Sequence, residues 1–340
     1  MKSLLRLLLK ISFKPNRSKV DRTVSGFTLI ELLVAMIITF LILTPLLGFV
    51  VDVLNTDRKE QVKSNTEQEV QAALDFIAED LGQAVYIYDQ TGVNEIVDSL
   101  PAANPTNGTP ILVFWKRQLM KKVLPANSTS EDCDPIGTDD TCNDSYVYSL
   151  VAYYLRPDTN NSANNIWCQP AGGNCPARIT RYQYRDGVID TNAPNPAYFI
   201  APDPRAAEPD GFLPFNLSIP GDNLQEKMNQ WPLQEEGGTI ATFDPPTAQV
   251  LVNYIDTTTV PNVATLSECQ NALGASASIV SPTNGNGFYA CVDSTKTVAR
   301  VTIRGSALRK MQNNATYNSN NSAFFPTASV QVQGLGVLGQ

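Results

Sequence analysis

The stretch Phe27–Val51, FTLIELLVAMIITFLILTPLLGFVV, is 25 residues long and holds a single charge, Glu31. As an α-helix rising about 1.5 Å per residue it is roughly 37 Å long, enough to cross a hydrocarbon core of about 30 Å. It is too long for a secretory h-region and its far end has no small-x-small cleavage site, so an ordinary cleaved signal peptide fits poorly. The residues before it, 1–26, carry seven bases against one acid, a balance of +6, which leaves −14 for the remainder of a chain whose total is −8. By the positive-inside rule this basic leader stays in the cytoplasm and everything after Val51 is exported.

Composition narrows the rest. With 340 residues, 43% hydrophobic and 17% charged, the chain has ample material for a folded core. It contains no histidine, which removes Ser-His-Asp and Cys-His nucleophiles, His-ligated zinc and imidazole proton shuttles. Gly-rich phosphate loops are absent, and carboxylates alone do not identify a glycosidase pair, so no enzyme is expected and no cofactor. The acidic body does not suit nucleic-acid binding, which needs basic surface. The six cysteines include no C-x-x-C pair and point to disulfides in an oxidising compartment.

Beyond the span the helix is expected to continue. Apolar residues recur at Val70, Leu74, Ile77, Leu81, Val85 and Tyr88, an amphipathic pattern with one buried stripe. The spine then runs from Phe27 to about Tyr88, roughly 90 Å. Pro45, with Gly48 a turn later, removes a backbone hydrogen bond, and a kink or local melting is expected there. From about residue 90 the chain reads as β-rich, with strands at Ile111–Lys116, Tyr146–Arg156, Arg178–Arg185, Gln249–Asp256, Gly287–Val292 and Val298–Arg304. The proline-rich segment 186–248 is too long for a tight hairpin and is expected to be a surface insertion. The fold class is α+β: a leader (1–26), a membrane or filament-core helix (27–51), an amphipathic continuation (52–89), and an exported β-rich head with long loop insertions (90–340).

A carboxylate five residues into an apolar helix costs about 2.5–3.5 kcal/mol at a central position and somewhat less near an interface, so it marks a function or a partner. Its neighbours, Gly26-Phe27-Thr28-Leu29-Ile30-Glu31-Leu32-Leu33-Val34, read GFTLIELLV, which resembles the type IV prepilin and pseudopilin family at each of these nine positions. The resemblance implies a pilin-like fold, cleavage between Gly26 and Phe27 by prepilin peptidase, and N-methylation of the new Phe27 amine. It also implies that Glu31 attracts the free amine of a neighbouring subunit and so sets the stagger in a filament. A charge pair formed in low dielectric offsets two desolvation costs, which gives that role a physical basis. The leader departs from the short basic prepilin type, being longer and carrying its own apolar stretch, Leu4–Ile11.

The cysteines form three sequence-local candidate pairs, Cys133 with Cys142, Cys168 with Cys175, and Cys269 with Cys291, out of the 15 connectivities six cysteines allow. Glu131, Asp132, Asp134, Asp139, Asp140 and Asp144 form an acidic cluster. A solvated loop is the first reading, and calcium at residues 131–144 the other, although the spacing is not that of an EF-hand. Trp115, Trp167 and Trp231 suit either sugar stacking, if exposed, or the core.

The segments EVQAALDFIAEDLGQAVYIYD, YSLVAYYLRPDT and ITRYQYRDG are similar to the PulJ/PilW-like class of minor pilins, and within it to pseudopilins of hormogonium polysaccharide secretion. The resemblance implies a structural subunit of a type IV pilus-like machine supporting secretion or surface motility. Its partners are other pilins, prepilin peptidase, an inner-membrane assembly platform and, before assembly, membrane lipid. The head is expected in the periplasm and then on an extracellular filament. The alternatives are a type IV minor pilin for adhesion or DNA uptake, and a single-pass anchored surface adhesin or enzyme, which has no need of GFTLIE.

Overall fold

The computed structural model describes residues 26–100, 108–125, 142–185, 212, 215–231, 248–258, 265–282 and 287–336. The fold is α+β: a long helix, α1 (Leu29–Gly82), precedes a globular head of antiparallel sheets with the short helices α2 (Gln90–Ile96), α3 (Leu224–Asn229) and α4 (Leu266–Leu273). The chain divides into two compact units, Met1–Asp57 and Arg58–Gln340, with the boundary inside α1.

In the second unit, Val70, Leu74, Ile77 and Leu81 are buried as the spacing predicts, joined by Ala73, Thr66 and Asp80. The helix does not reach Tyr88, however. It ends at Gly82, and Val85 lies in strand β1 (Ala84–Ile87) with Tyr88 just beyond it. A glycine costs a helix about 1 kcal/mol, and the Val-Tyr-Ile-Tyr run after it suits a strand better than a turn of helix. The last turn tightens, Gln83 N donating to the Asp80 carbonyl at 3.1 Å, while the Gln83 carbonyl accepts from Arg117 N at 3.0 Å. All four residues of β1 are buried, because they bury both faces, and spacings of three and four cannot distinguish that from a helical stripe.

The first sheet has the order β1-β2-β3-β4-β5, with β2 (Thr109–Pro125), β3 (Cys142–Pro157), β4 (Ala177–Arg185) and β5 (Gln249–Ile255). The second is β6 (Ser278–Val280), β7 (Phe288–Asp293), β8 (Val298–Arg304) and β9 (Thr327–Gln333). Both β2 and β3 are longer than their apolar cores suggest, since Arg117–Met120 pair with Ser145–Tyr148 residue by residue. Strand β9, TASVQVQ, is too polar to stand out in the sequence, yet it pairs with β8 along its length and turns Ala328, Val330 and Val332 to the core. The two sheets join where the Ile255↔Gly305 bridge forms and Arg304 clasps Asp256, Nε to Oδ2 at 2.8 Å. Gly305 sits hard against α1: a Cβ there would lie 2.7 Å from Thr66 Cγ2 and 3.1 Å from Val70 Cγ2.

Strand alternation gives the first sheet two different faces. One carries Trp115, Leu150, Tyr154, Tyr182 and Tyr184, all buried. Phe212, Met228 and Trp231 cover the same core, Trp115 and Trp231 meeting edge to face at 5.4 Å. The segment 186–248 is therefore not simply a surface insertion: its apolar residues return to cap the sheet, and Tyr88 Oη donates to the Met228 carbonyl at 3.2 Å. The other face turns Lys116 and Arg181 toward α1. Asp80 accepts there from Lys116 Nζ at 2.7 Å, Arg181 Nε at 2.6 Å and the Tyr153 hydroxyl at 2.6 Å. Buried charge survives only when paired and hydrogen-bonded, and this carboxylate is fully engaged.

Candidate functional site

In the first unit, Gly26, Phe27 and Thr28 precede the helix and α1 begins at Leu29. Thr28 is the residue that starts it. Its hydroxyl accepts from Glu31 N at 3.3 Å and its carbonyl accepts from Leu32 N at 3.2 Å, as an N-cap does for the unpaired donors of a first turn. Glu31 thereby occupies the third helical position, where the positive end of the helix dipole favours a carboxylate. The cap is legible in the sequence as Thr28-x-x-Glu31, the spacing of a capping box.

Every residue from 26 to 57 is exposed. Phe27 is 80% exposed and Phe40 72%, on a helix whose most apolar window has a mean hydropathy of 2.6. A surface this apolar is tolerated in a bilayer or against other apolar helices, not in water. At Pro45 the expected local melting is absent: α1 is continuous through Pro45 and Gly48, and just before them the Thr44 hydroxyl donates to the Phe40 carbonyl at 2.8 Å.

The other predicted residues lie in the head. Disulfides join Cys168 to Cys175 and Cys269 to Cys291. Cys142 is disulfide-bonded as well, while Cys133 lies outside the described residues. The first loop is pinned by Arg309, a buried guanidinium that donates to the carbonyls of Asn174 at 2.7 Å and Pro170 at 2.9 Å. The acidic cluster from Glu131 to Asp140 also lies outside the described residues; Asp144, at its end, accepts from Lys122 N at 3.0 Å. Among the described residues no group of three His, Cys, Asp or Glu side chains could hold a metal ion. Trp115 and Trp231 are buried, so neither presents a ring for stacking, and Trp167 is half-buried with the Arg178 guanidinium 4.9 Å from its ring centre.

Comparison with known proteins places one recognised element on this geometry. Residues 21–47 match the family model of the prokaryotic N-terminal methylation motif. No curated protein and no solved structure matches the chain. Gly26, Phe27, the Thr28 cap and Glu31 all fall inside the matched stretch. The chain carries a prepilin-type N-terminal motif on an exposed apolar helix, which supports a type IV pilin-like or pseudopilin protein and fits membrane anchoring of a pilin.

Proposed function

We propose that this chain is a minor pilin or pseudopilin of the PulJ/PilW-like class, a non-enzymatic subunit of a type IV pilus-like filament that supports secretion, in one version of polysaccharide, or surface motility. The observation that carries the reading is Glu31: a carboxylate at the third position of an exposed apolar helix, inside the methylation motif. In the bilayer such a charge lacks a partner, and the amine freed at Phe27 of a neighbouring subunit supplies one. On this reading prepilin peptidase cuts between Gly26 and Phe27, and Phe27 is then N-methylated. Gly26 offers no side chain to obstruct the protease, and a Cβ there would meet nothing within 4 Å, so the constraint at this position comes from the peptidase and not from this chain's own fold. The inner-membrane platform then draws the subunit from the lipid into the filament, with the head on the periplasmic side.

N-terminal mass spectrometry of the protein recovered from cells with an active prepilin peptidase tests this directly. The expected mature chain begins at N-methylated Phe27, and replacing Gly26 by a bulky residue slows the cut. Recovery of intact Met1, or a cut after Val51, overturns the assignment in favour of an anchored surface protein.

A further inference from the structure

Among the described residues, the charged face beneath the end of α1 holds more cations than carboxylates. Lys116 and Arg181 are 5% and 8% exposed, yet both are directed at one carboxylate, Asp80. Among the described residues the Lys116 ammonium has Asp80 as its acceptor and no other, so two of its three donors are unused there. Arg181 spends Nε on Asp80 and Nη2 on the Gln183 amide oxygen at 2.6 Å, which leaves Nη1 without an acceptor among the described residues. These donors are not among the buried polar atoms that lack a partner; they open onto a cavity, where an anion can replace water on them.

These groups line a cavity of about 610 Å³, bounded also by Gln118, Gln183, Phe76 and the stacked pair Arg117–Tyr146. The Arg117 guanidinium is already placed 3.6 Å from the Tyr146 ring centre. Gln183 Nε2 donates to Gln118 Oε1 at 3.2 Å, so the Gln118 amide nitrogen is left as one more donor at the wall. Counting Glu79, which is exposed and lines the same cavity, the ionised side chains here are three cations and two carboxylates.

We propose that this cavity is a binding site for a single carboxylate group, held by Lys116 Nζ and Arg181 Nη1 with the Gln118 amide beside them. A monoanion balances the excess charge, whereas a phosphate dianion would leave a negative surplus next to Asp80 and Glu79. The two oxygens of a carboxylate also offer separate acceptors to the Lys116 ammonium and to Arg181 Nη1, which a spherical ion does not. The group arrives either on a small free acid or on an acidic side chain of a second copy of this chain.

The test titrates sodium acetate into the full chain in detergent micelles, follows binding by saturation-transfer NMR, and uses sodium chloride as the competing salt. Three proteins are compared. The wild type should bind acetate in preference to chloride. Lys116→Met leaves Asp80 and Arg181 as a one-to-one pair, so it should fold normally and bind acetate roughly tenfold more weakly or worse, as loss of a charge-assisted bond implies. Gln118→Glu supplies a carboxylate from within the chain and should raise the melting temperature while blocking acetate. Sedimentation separates the sources: self-association that acetate disperses assigns the site to a second copy, and a monomer that binds acetate assigns it to a free acid. Acetate binding no better than chloride, or equal in wild type and Lys116→Met, overturns the proposal.

Discussion

Asp80→Asn changes one charge and almost no volume where α1 meets the first sheet. In the wild type the carboxylate takes Lys116 on one oxygen, and Arg181 and the Tyr153 hydroxyl on the other, at 2.6–2.7 Å. The amide keeps one acceptor and turns an NH2 toward a cation, so two side chains less than a tenth exposed lose their counter-charge. Removing one member of a buried pair costs about 3–5 kcal/mol, a large part of the 5–15 kcal/mol that holds a typical domain. Urea unfolding of a fragment beginning at Arg58, the second compact unit, reads the loss as a lower midpoint at unchanged slope. Lys116→Met added to Asp80→Asn removes one stranded cation and should recover part of it. The pH dependence has a definite sign. Burial pushes the Asp80 carboxyl up, but the Arg181 hydrogen bond and the charges of Lys116 and Arg181 outweigh it and hold the group below its ordinary value. Its stabilisation is therefore complete above the unfolded value near pH 4 and is lost as pH falls through the lower folded value. Acidification should erode the wild type through this window and affect Asp80→Asn less. A loss under about 1 kcal/mol, the worth of an exposed pair, would falsify the claim that this cluster is buried and mutually dependent.

If the chain is the proposed pilin-like subunit, Glu31→Gln should insert and be processed but enter the filament poorly, as scored by crosslinking to other pilins and by secretion or motility; normal incorporation would place the partner contacts in the head. Gly305→Ala puts a methyl against Thr66 and Val70 on α1, and overpacking of this kind should lower fragment stability by about 1–3 kcal/mol in urea unfolding. A mutant as stable as wild type would mean that α1 yields freely at this contact. Opening the Cys269–Cys291 bond, which closes a 22-residue loop, should cost about 3 kcal/mol by the chain-entropy estimate. A reductant should therefore lower the melting temperature of the protein, and six titratable thiols before reduction would contradict the disulfides.

The features legible in the sequence were those carried by near neighbours. Phe27–Val51 declares its length and apolarity without help from the rest of the chain, and Glu31 is conspicuous because nothing around it is charged. The core strands at Ile111–Lys116 and Val298–Arg304 were visible for a similar reason: β-branched and aromatic residues bunch there. Strand β9 is not legible in the sequence, because seven uncharged, mostly polar residues carry little signal until β8 lies beside them. The end of α1 is ambiguous in the sequence, because Val85 and Tyr88 satisfy a helical spacing as well as a strand that is buried on both faces.

Charge on the buried face shows the division most clearly. Asp80, Lys116, Tyr153 and Arg181 are spread over a hundred residues, and each alone reads as an ordinary surface or strand residue. Their joint burial depends on β2, β3 and β4 pairing in one register, which sets Leu112, Tyr153 and Arg181 in a row across the sheet with Lys116 two pairs along on the same face. A shift of one residue would send Lys116 and Arg181 to the opposite face. The long apolar segment, the Thr28 cap site and the position of Glu31 were determined by the sequence locally, because hydropathy and capping act within a few turns of helix. The charged cavity and the return of Phe212 and Trp231 to the core were decided only by tertiary packing, because the energy of a buried ion or ring depends on groups that the chain brings together from far apart.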